Sequence, residues 1–133
     1  MENVDASLLE ALIQTESSGN PNAINPATGA RGLGQTTPIA WKDLVKFYPE
    51  VYKKLDYKTD IFKPDVSRRA TSDYLNIINK YLTNYKIPTT PENVLASYNW
   101  GIGNVKKYGV TNAPKETKNY IQKILNIIKG GSQ

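Results

Sequence analysis

The sequence has no cysteine and no histidine in its 133 residues, and each zero removes a class of chemistry. Without Cys there is no disulfide framework, no thiolate metal site and no cysteine nucleophile. Without His there is no Ser-His-Asp triad and no imidazole-ligated metal. An enzyme made from this chain must work with carboxylates, hydroxyls, amides or lysine. Long apolar runs are missing as well. No stretch approaches the ~20 residues of a membrane span, so no membrane insertion is expected. The opening run Met-Glu-Asn-Val-Asp lacks the basic and apolar regions of a secretory leader. The protein is therefore expected either not to be exported by itself or to have lost its leader.

Acidic residues are few, 12 against 17 basic, which leaves a formal charge of +5. That charge favours approach to anionic polymers without conferring specificity. The basic residues are scattered, with short pairs only at Lys53-Lys54, Arg68-Arg69 and Lys106-Lys107. No basic stripe forms, so nucleic acid is not an expected partner. Phe and Trp are rare at two each, whereas Tyr occurs nine times. Tyr offers a ligand both a ring face and a hydroxyl. With 39% hydrophobic and 22% charged residues, the composition is globular rather than disordered. The length suits a single domain over residues 1–133, with no linker and no repeat.

Apolar spacing predicts helices and little or no sheet. Residues 5–17 form an amphipathic helix, started by Asp5 or Ser7, with Leu8, Leu9, Leu12, Ile13 and Glu16 on one face. Ser18-Gly19-Asn20-Pro21 stops it, and a structured loop rich in Gly, Pro and Asn runs to Thr37. Thr37-Pro38 starts a second helix that ends at Pro49, and residues 50–63 read as irregular. A longer helix follows Pro64. Thr89 to Glu92 opens another through a capping-box pattern. The last runs from about Pro114 to Lys129, with Gly130 beyond its end. The expected fold class is all-α, a compact domain of five or six helices.

Glu16 is the most informative residue. It lies one turn from the end of the first helix, on the face that carries Leu9, Leu12 and Ile13. Burial and the negative end of the helix dipole both disfavour its ionised form. A raised pKa is what a general acid needs near neutral pH. The alternative is a glutamate at a fraying helix end, turned back to water. Gly29-Ala30-Arg31-Gly32-Leu33-Gly34-Gln35 then supplies three glycines and an amide just before a helix. Glycines let backbone approach a ligand closely, and Gln both donates and accepts. The order is neither a P-loop nor GxGxxG, and a tight turn is the competing reading. Ser97-Tyr98-Asn99-Trp100-Gly101 sets two rings and an amide before a glycine, either as a sugar-contacting edge or as core.

Together these segments resemble the Slt-type lytic transglycosylases, a glycoside hydrolase family with a goose-lysozyme-like fold. The family's Glu-Ser signature matches Glu16-Ser17, with Asn20-Pro21 following. Its Gly-Leu-Met-Gln matches Gly32-Leu33-Gly34-Gln35, with Pro38 and Ala40 in register. Its Ala-Tyr-Asn-Ala-Gly matches Ser97-Tyr98-Asn99-Trp100-Gly101. Its Glu-Thr-x-x-Tyr-Val matches Glu116-Thr117-Lys118-Asn119-Tyr120-Ile121. The four motifs occur in order and cover residues 8–125. The departures are Gly34 for Met, expected to thin one wall of the site, and Trp100 for a small residue, which adds a stacking surface or crowds the cleft.

The resemblance implies a lysozyme-like fold and a peptidoglycan lytic transglycosylase. Glu16 becomes the catalytic acid and then base. Gly34 and Gln35 hold the acetamido sugar, and Tyr98 and Asn99 orient Glu16 and contact substrate. Tyr120 supports the Glu from the last helix, and Ser17 is a structural hydrogen-bonding partner. Paired-carboxylate glycosidases place two acids about 5–5.5 Å or about 6.5–9.5 Å apart. After Glu16 no Asp or Glu occurs before Asp43, and a lone acid fits the substrate-assisted route that the resemblance implies. The expected product is 1,6-anhydroMurNAc, with no metal and no cofactor. Three alternatives stay open: a hydrolytic muramidase in which Asp43, Asp56, Asp60 or Asp65 assists, a non-catalytic glycan-binding or virion structural module, and nucleic-acid binding. The expected partner is the peptidoglycan glycan strand, met by a monomer or by a domain of a larger assembly. A phage-type enzyme is the expected setting, acting from a virion or after the host membrane is permeabilised.

Overall fold

The helix starts are held by side chains just outside the helices. In the computed structural model, which describes residues 5–130, helix α1 spans Ala6–Ser17, and the Asp5 carboxylate accepts from Ser7 N at 2.9 Å. Helix α2, Pro38–Phe47, starts at Thr37, whose hydroxyl accepts from Ala40 N at 3.1 Å. Both match the N-terminal positions expected, because the acceptor satisfies a backbone N–H that the first turn leaves without an intrahelical partner.

The loop after α1 holds a short antiparallel hairpin, β1 (Ile24–Asn25) and β2 (Ala30–Arg31), in register Ile24↔Arg31 and Asn25↔Ala30. Residues 50–63 contain two single-turn helices, α3 (Pro49–Tyr52) and α4 (Tyr57–Asp60). Helix α5, Pro64–Asn84, is the longest. It is followed by α6 (Pro91–Trp100), α7 (Ile102–Tyr108), a 3-10 turn at Val110–Asn112 and α8 (Lys115–Gly130). The all-α class holds, with eight α-helices among the described residues. The helices beyond the five or six expected are short ones, and Gly130 closes α8 rather than following it.

Two units divide these residues, 5–77 and 78–130, and the division falls inside α5 between Ile77 and Ile78. In the first unit the core gathers Leu12, Ile13, Leu33, Trp41, Leu44, Tyr52, Ile61 and Leu75, all buried. Trp41 meets Tyr52 edge-to-face at 5.2 Å and 80°, the arrangement that aromatic quadrupoles favour. Leu12 and Leu44 are fully enclosed, and truncating either to Ala is expected to cost about 2–5 kcal/mol.

In the second unit, α5 ends in a Schellman pattern. Lys86 sits at φ 61°, its N–H reaches Thr83 O, and Ile87 N–H reaches Leu82 O. The left-handed residue and the following Pro88 stop the helix. The cap of α6 is Thr90, whose hydroxyl accepts from Asn93 N at 3.1 Å. The expected start at Thr89 is therefore corrected by one residue, since Pro91 already occupies the first helical position. Helix α6 packs against α7 and α8, burying Val94, Leu95, Val105, Ile121 and Ile124. No helix among the described residues is long and apolar enough to cross a membrane.

Candidate active site

Glu16 occupies the last turn of α1 and is half-buried. One turn before it on the same face, Leu12 and Ile13 are 0% and 3% exposed, so the carboxylate stands at the edge of the core. The helix end beside it is fastened rather than frayed. Ser17 Oγ donates to Ile13 O at 3.2 Å and accepts from Gly19 N at 3.2 Å. Ser18, at φ 56°, closes the helix through its N–H to Gln14 O.

Hydrogen bonds within the chain shape the following loop. Asn20 Oδ1 accepts from Asn22 N and Asn25 Oδ1 from Ala27 N, the local turns that Asn side chains favour. The Gly32-Leu33-Gly34 segment is seated on one face of α5. Ser67 Oγ, fully buried, accepts from Leu33 N at 2.7 Å. A Cβ on Gly32 would lie 2.4 Å from Ser67 Oγ, and one on Gly34 would lie 2.0 Å from Thr71 Oγ1. Glycine is required at both positions because α5 fills the space. The wall expected to be thinned by Gly34 is thus filled by Thr71.

Gln35 is held in a left-handed conformation, φ 53°, and is half-buried. Its Nε2 donates to Ala23 O at 3.2 Å and Gly32 O at 3.1 Å. Both amide hydrogens are engaged inside the loop, which leaves Oε1 as the polar atom outside those bonds. Tyr57 clamps the same loop, with its hydroxyl 2.7 Å from Gly29 O and 2.6 Å from Thr36 O. Burial raises the Tyr57 pKa, against the nearby Arg31 charge. The Arg31 guanidinium lies over the Tyr57 ring, 5.1 Å from its centroid.

In the second unit, Tyr98 and Asn99 lie in the last turn of α6, and Tyr120 lies on α8. Tyr98 and Tyr120 are half-buried and Asn99 is exposed. Thr117 is 3% exposed and donates from Oγ1 to Asn99 Oδ1 at 2.9 Å. This bond ties the third motif to the fourth and engages Asn99 Oδ1, leaving the two donors of the NH2 group outside it. Tyr120 follows Thr117 by three residues and shares its side of α8. Gly34 is thus seated on the α5 face, Gln35 is bonded within its own loop, and Asn99 is joined to the helix that bears Tyr120.

Sequence reasoning missed Ser67, Thr71, Tyr57 and Thr117 as supports of these residues. A signal existed for the first two, since Ser67 and Thr71 form an i, i+4 polar pair on the otherwise apolar side of α5. Thr117 stands in the fourth motif but nothing there names Asn99, 18 positions away, as its partner, and Tyr57, 28 positions from Gly29, carried no signal.

The model of the transglycosylase SLT domain family matches residues 1–121. The chain belongs to that family. The SLT chain is also similar in fold to solved structures. Against the 70 kDa soluble lytic transglycosylase Slt70 of Escherichia coli the TM-score is 0.79, with 20% identity over 96% of this chain and 21% of that one. Against an inactive mutant of lytic transglycosylase Slt from Pseudomonas aeruginosa it is 0.76, with 23% identity over 94% of this chain and 21% of that one. The SLT chain therefore spans about a fifth of the length of those proteins.

Several acids of this SLT chain are already committed to local structure. Asp56 caps α4 through Lys58 N at 3.0 Å. Asp60 accepts from Asp56 N at 2.7 Å and pairs with Lys63 at 3.0 Å, which lowers its pKa. Asp73 receives the Tyr52 hydroxyl at 2.6 Å and Arg69 Nε at 3.2 Å. Glu10 pairs with Arg68. Asp43 on α2 differs: it is half-buried, and burial raises its pKa against the lowering effect of Lys46.

Proposed function

We propose that the chain is a peptidoglycan lytic transglycosylase acting as a single catalytic domain. It cleaves the MurNAc–GlcNAc β-1,4 bond and leaves 1,6-anhydroMurNAc ends. The observation that carries the reading is Glu16, a half-buried carboxylate at the closed end of α1 in a chain of the SLT family. Glu16 as the acid protonates the glycosidic oxygen while the acetamido oxygen of the same MurNAc supports the developing charge at C1. The resulting carboxylate then takes the proton of the C6 hydroxyl, and O6 closes on C1. No water enters the products. Gln35 Oε1 accepts from the acetamido N–H, the amide of Asn99 donates to sugar oxygens, and Tyr98 and Tyr120 position the acid. Gly34 brings backbone close to the same sugar.

Mass spectrometry of digested sacculi tests this. The expected muropeptides are one water lighter than hydrolysis products, and ordinary reducing ends would sink the proposal. Glu16→Gln is expected to lower the rate by at least about 10²–10⁴-fold, the range of one positioned proton-transfer group. A non-catalytic module would bind sacculi equally before and after that change, with no turnover in either form.

A second reading, hydrolytic muramidase, draws on Asp43 and the upward push that burial gives its carboxyl. Asp43→Asn separates the two. A transglycosylase keeps its anhydro products and most of its rate, whereas a muramidase that uses Asp43 as its second acid gives reducing-end products and loses most of its rate.

A further inference from the structure

Position 100, where the family pattern has a small residue, carries a tryptophan, and the structure gives it a partner. The Trp100 ring at the end of α6 lies 5.9 Å from the Tyr108 ring at the end of α7, tilted by 31°. Trp100 is half-buried, while Tyr108 is 48% exposed and among the few large apolar side chains turned to solvent. The backbone joining them is fixed, since Asn104 Nδ2 donates to Trp100 O at 2.7 Å. Lys107 Nζ sits over the Tyr108 ring, 5.3 Å from its centroid. Its neighbour Lys106 sits over Tyr85 at 4.1 Å. The Trp100–Tyr108 pair thus carries one cation, Lys107, over its more exposed ring, and Trp100 directly follows the exposed Asn99.

We infer that Trp100, Tyr108 and Lys107 form a saccharide-binding platform selective for acidic glycan strands. The deduction rests on the proposed glycan substrate and adds a contact outside the family's motif residues. Two features favour a sugar over an apolar partner. The exposed apolar surface is one half-exposed tyrosine ring beside a half-buried indole, too little for a docked helix. Asn99, an exposed amide, directly precedes Trp100 in the chain, and small-molecule sites combine ring surface with a few polar groups. Lys107 supplies the selectivity. A carboxylate-bearing sugar pairs with its ammonium as the ring stacks, whereas a neutral sugar must displace the cation from Tyr108 without compensation.

The two tryptophans of the chain make this testable, because Trp41 is 8% exposed and buried in the first unit's core. In a Trp41→Phe, Glu16→Gln background, Trp100 alone reports by fluorescence and the probe stays intact. The probes are a GlcNAc–MurNAc tetrasaccharide with free lactyl carboxylates and neutral chitotetraose. A saturable shift of Trp100 emission with the acidic tetrasaccharide, and a weaker response to chitotetraose, are expected. Tyr108→Ala, at an exposed position, should weaken acidic binding by about tenfold in this assay, and Trp100→Ala, which removes the reporter, should do the same by titration calorimetry, the scale of one lost aromatic stacking contact. Lys107→Gln should weaken acidic binding by up to about fivefold, as for an exposed ion pair, and strengthen chitotetraose binding, because no cation then has to be displaced from Tyr108. Circular dichroism checks that each variant is folded, and Trp100→Phe, read by the same calorimetry, should retain most of the affinity.

Silent Trp100 emission with both probes, or undiminished binding by Tyr108→Ala, overturns the platform. Equal response to both probes overturns its selectivity. Sacculus digestion separates this outcome from the catalytic reading. Anhydro products with a silent Trp100 remove only the platform, and a responsive Trp100 without products removes only the proposed reaction.

Discussion

At the residue scale the site is shaped by close approach rather than by spare room. Gly34 illustrates this. A Cβ there would lie 2.0 Å from Thr71 Oγ1, 2.6 Å from its Cγ2 and 2.8 Å from its Cβ, distances at which one partner must move. Gly34→Ala is therefore expected to destabilise by about 1–3 kcal/mol, as overpacking does in close-packed interiors. Gly34→Met should cost more, even though it restores the family's residue. Thr71→Ala removes the two nearest atoms, so Gly34→Ala/Thr71→Ala should be less destabilised than the sum of its single changes. Urea midpoints of the four proteins measure this coupling, and strict additivity would mean that the contact is not what excludes a side chain. Glu16 differs in kind. Its placement follows from the register of α1 alone, which is why a carboxylate among leucines could be noticed before any contact was known.

At the scale of elements, α5 is the bench on which the motif loop rests. Ser67 and Thr71, one turn apart and fully buried, receive Leu33 N and the two flanking glycines. Caps decide where the shorter helices begin. Thr90→Ala should cost about 1 kcal/mol through the lost bond to Asn93 N, while Thr89→Ala should change stability very little. Thermal unfolding of the two variants checks this, and a larger effect at Thr89 would return the cap to the position read from the capping box. Helices α1, α2, α5, α6 and α8 were legible because each carries at least ten residues of periodic apolar spacing. The hairpin and the single turns α3 and α4 were not, since two or four residues span about one period and show no repeat of it. Helix α7, only seven residues long, was hidden by the glycines around it. In the site, Glu16, Gln35 and Asn99 were legible from pattern and family resemblance. Of their supports, Ser67 and Thr71 left a trace in their i, i+4 spacing, whereas Tyr57 and Thr117 depend on partners distant in the chain that no local spacing announces.

At the scale of the whole molecule, the tyrosine-rich composition has a consequence at high pH. Burial raises the Tyr52 pKa well above its usual value, helped by its hydrogen bond to Asp73 and by that carboxylate's charge. Tyr57 is raised by burial as well. An unfolded tyrosine loses its proton near pH 10, whereas the folded Tyr52 retains it. Below pH 10 both states are protonated and the contribution to stability is complete. As pH rises beyond 10 toward the folded pKa, the unfolded state binds fewer protons and the contribution is lost. Denaturation midpoints should therefore fall increasingly steeply above pH 10. Tyr52→Phe should flatten that fall while lowering stability at neutral pH through the lost hydrogen bond. An unchanged alkaline slope in Tyr52→Phe would show that the Tyr52–Asp73 bond is not its source.

The contact between Gly34 and Thr71 also bears on how such a chain can diverge. A methionine cannot enter at 34 while a threonine stands at 71, and the order of mutations is thereby constrained: position 71 must shrink first. Related chains that carry a large residue in the loop should carry a small one at the matching turn of the long helix. An engineer who wishes to exchange motif loops between family members must therefore transplant the two positions together.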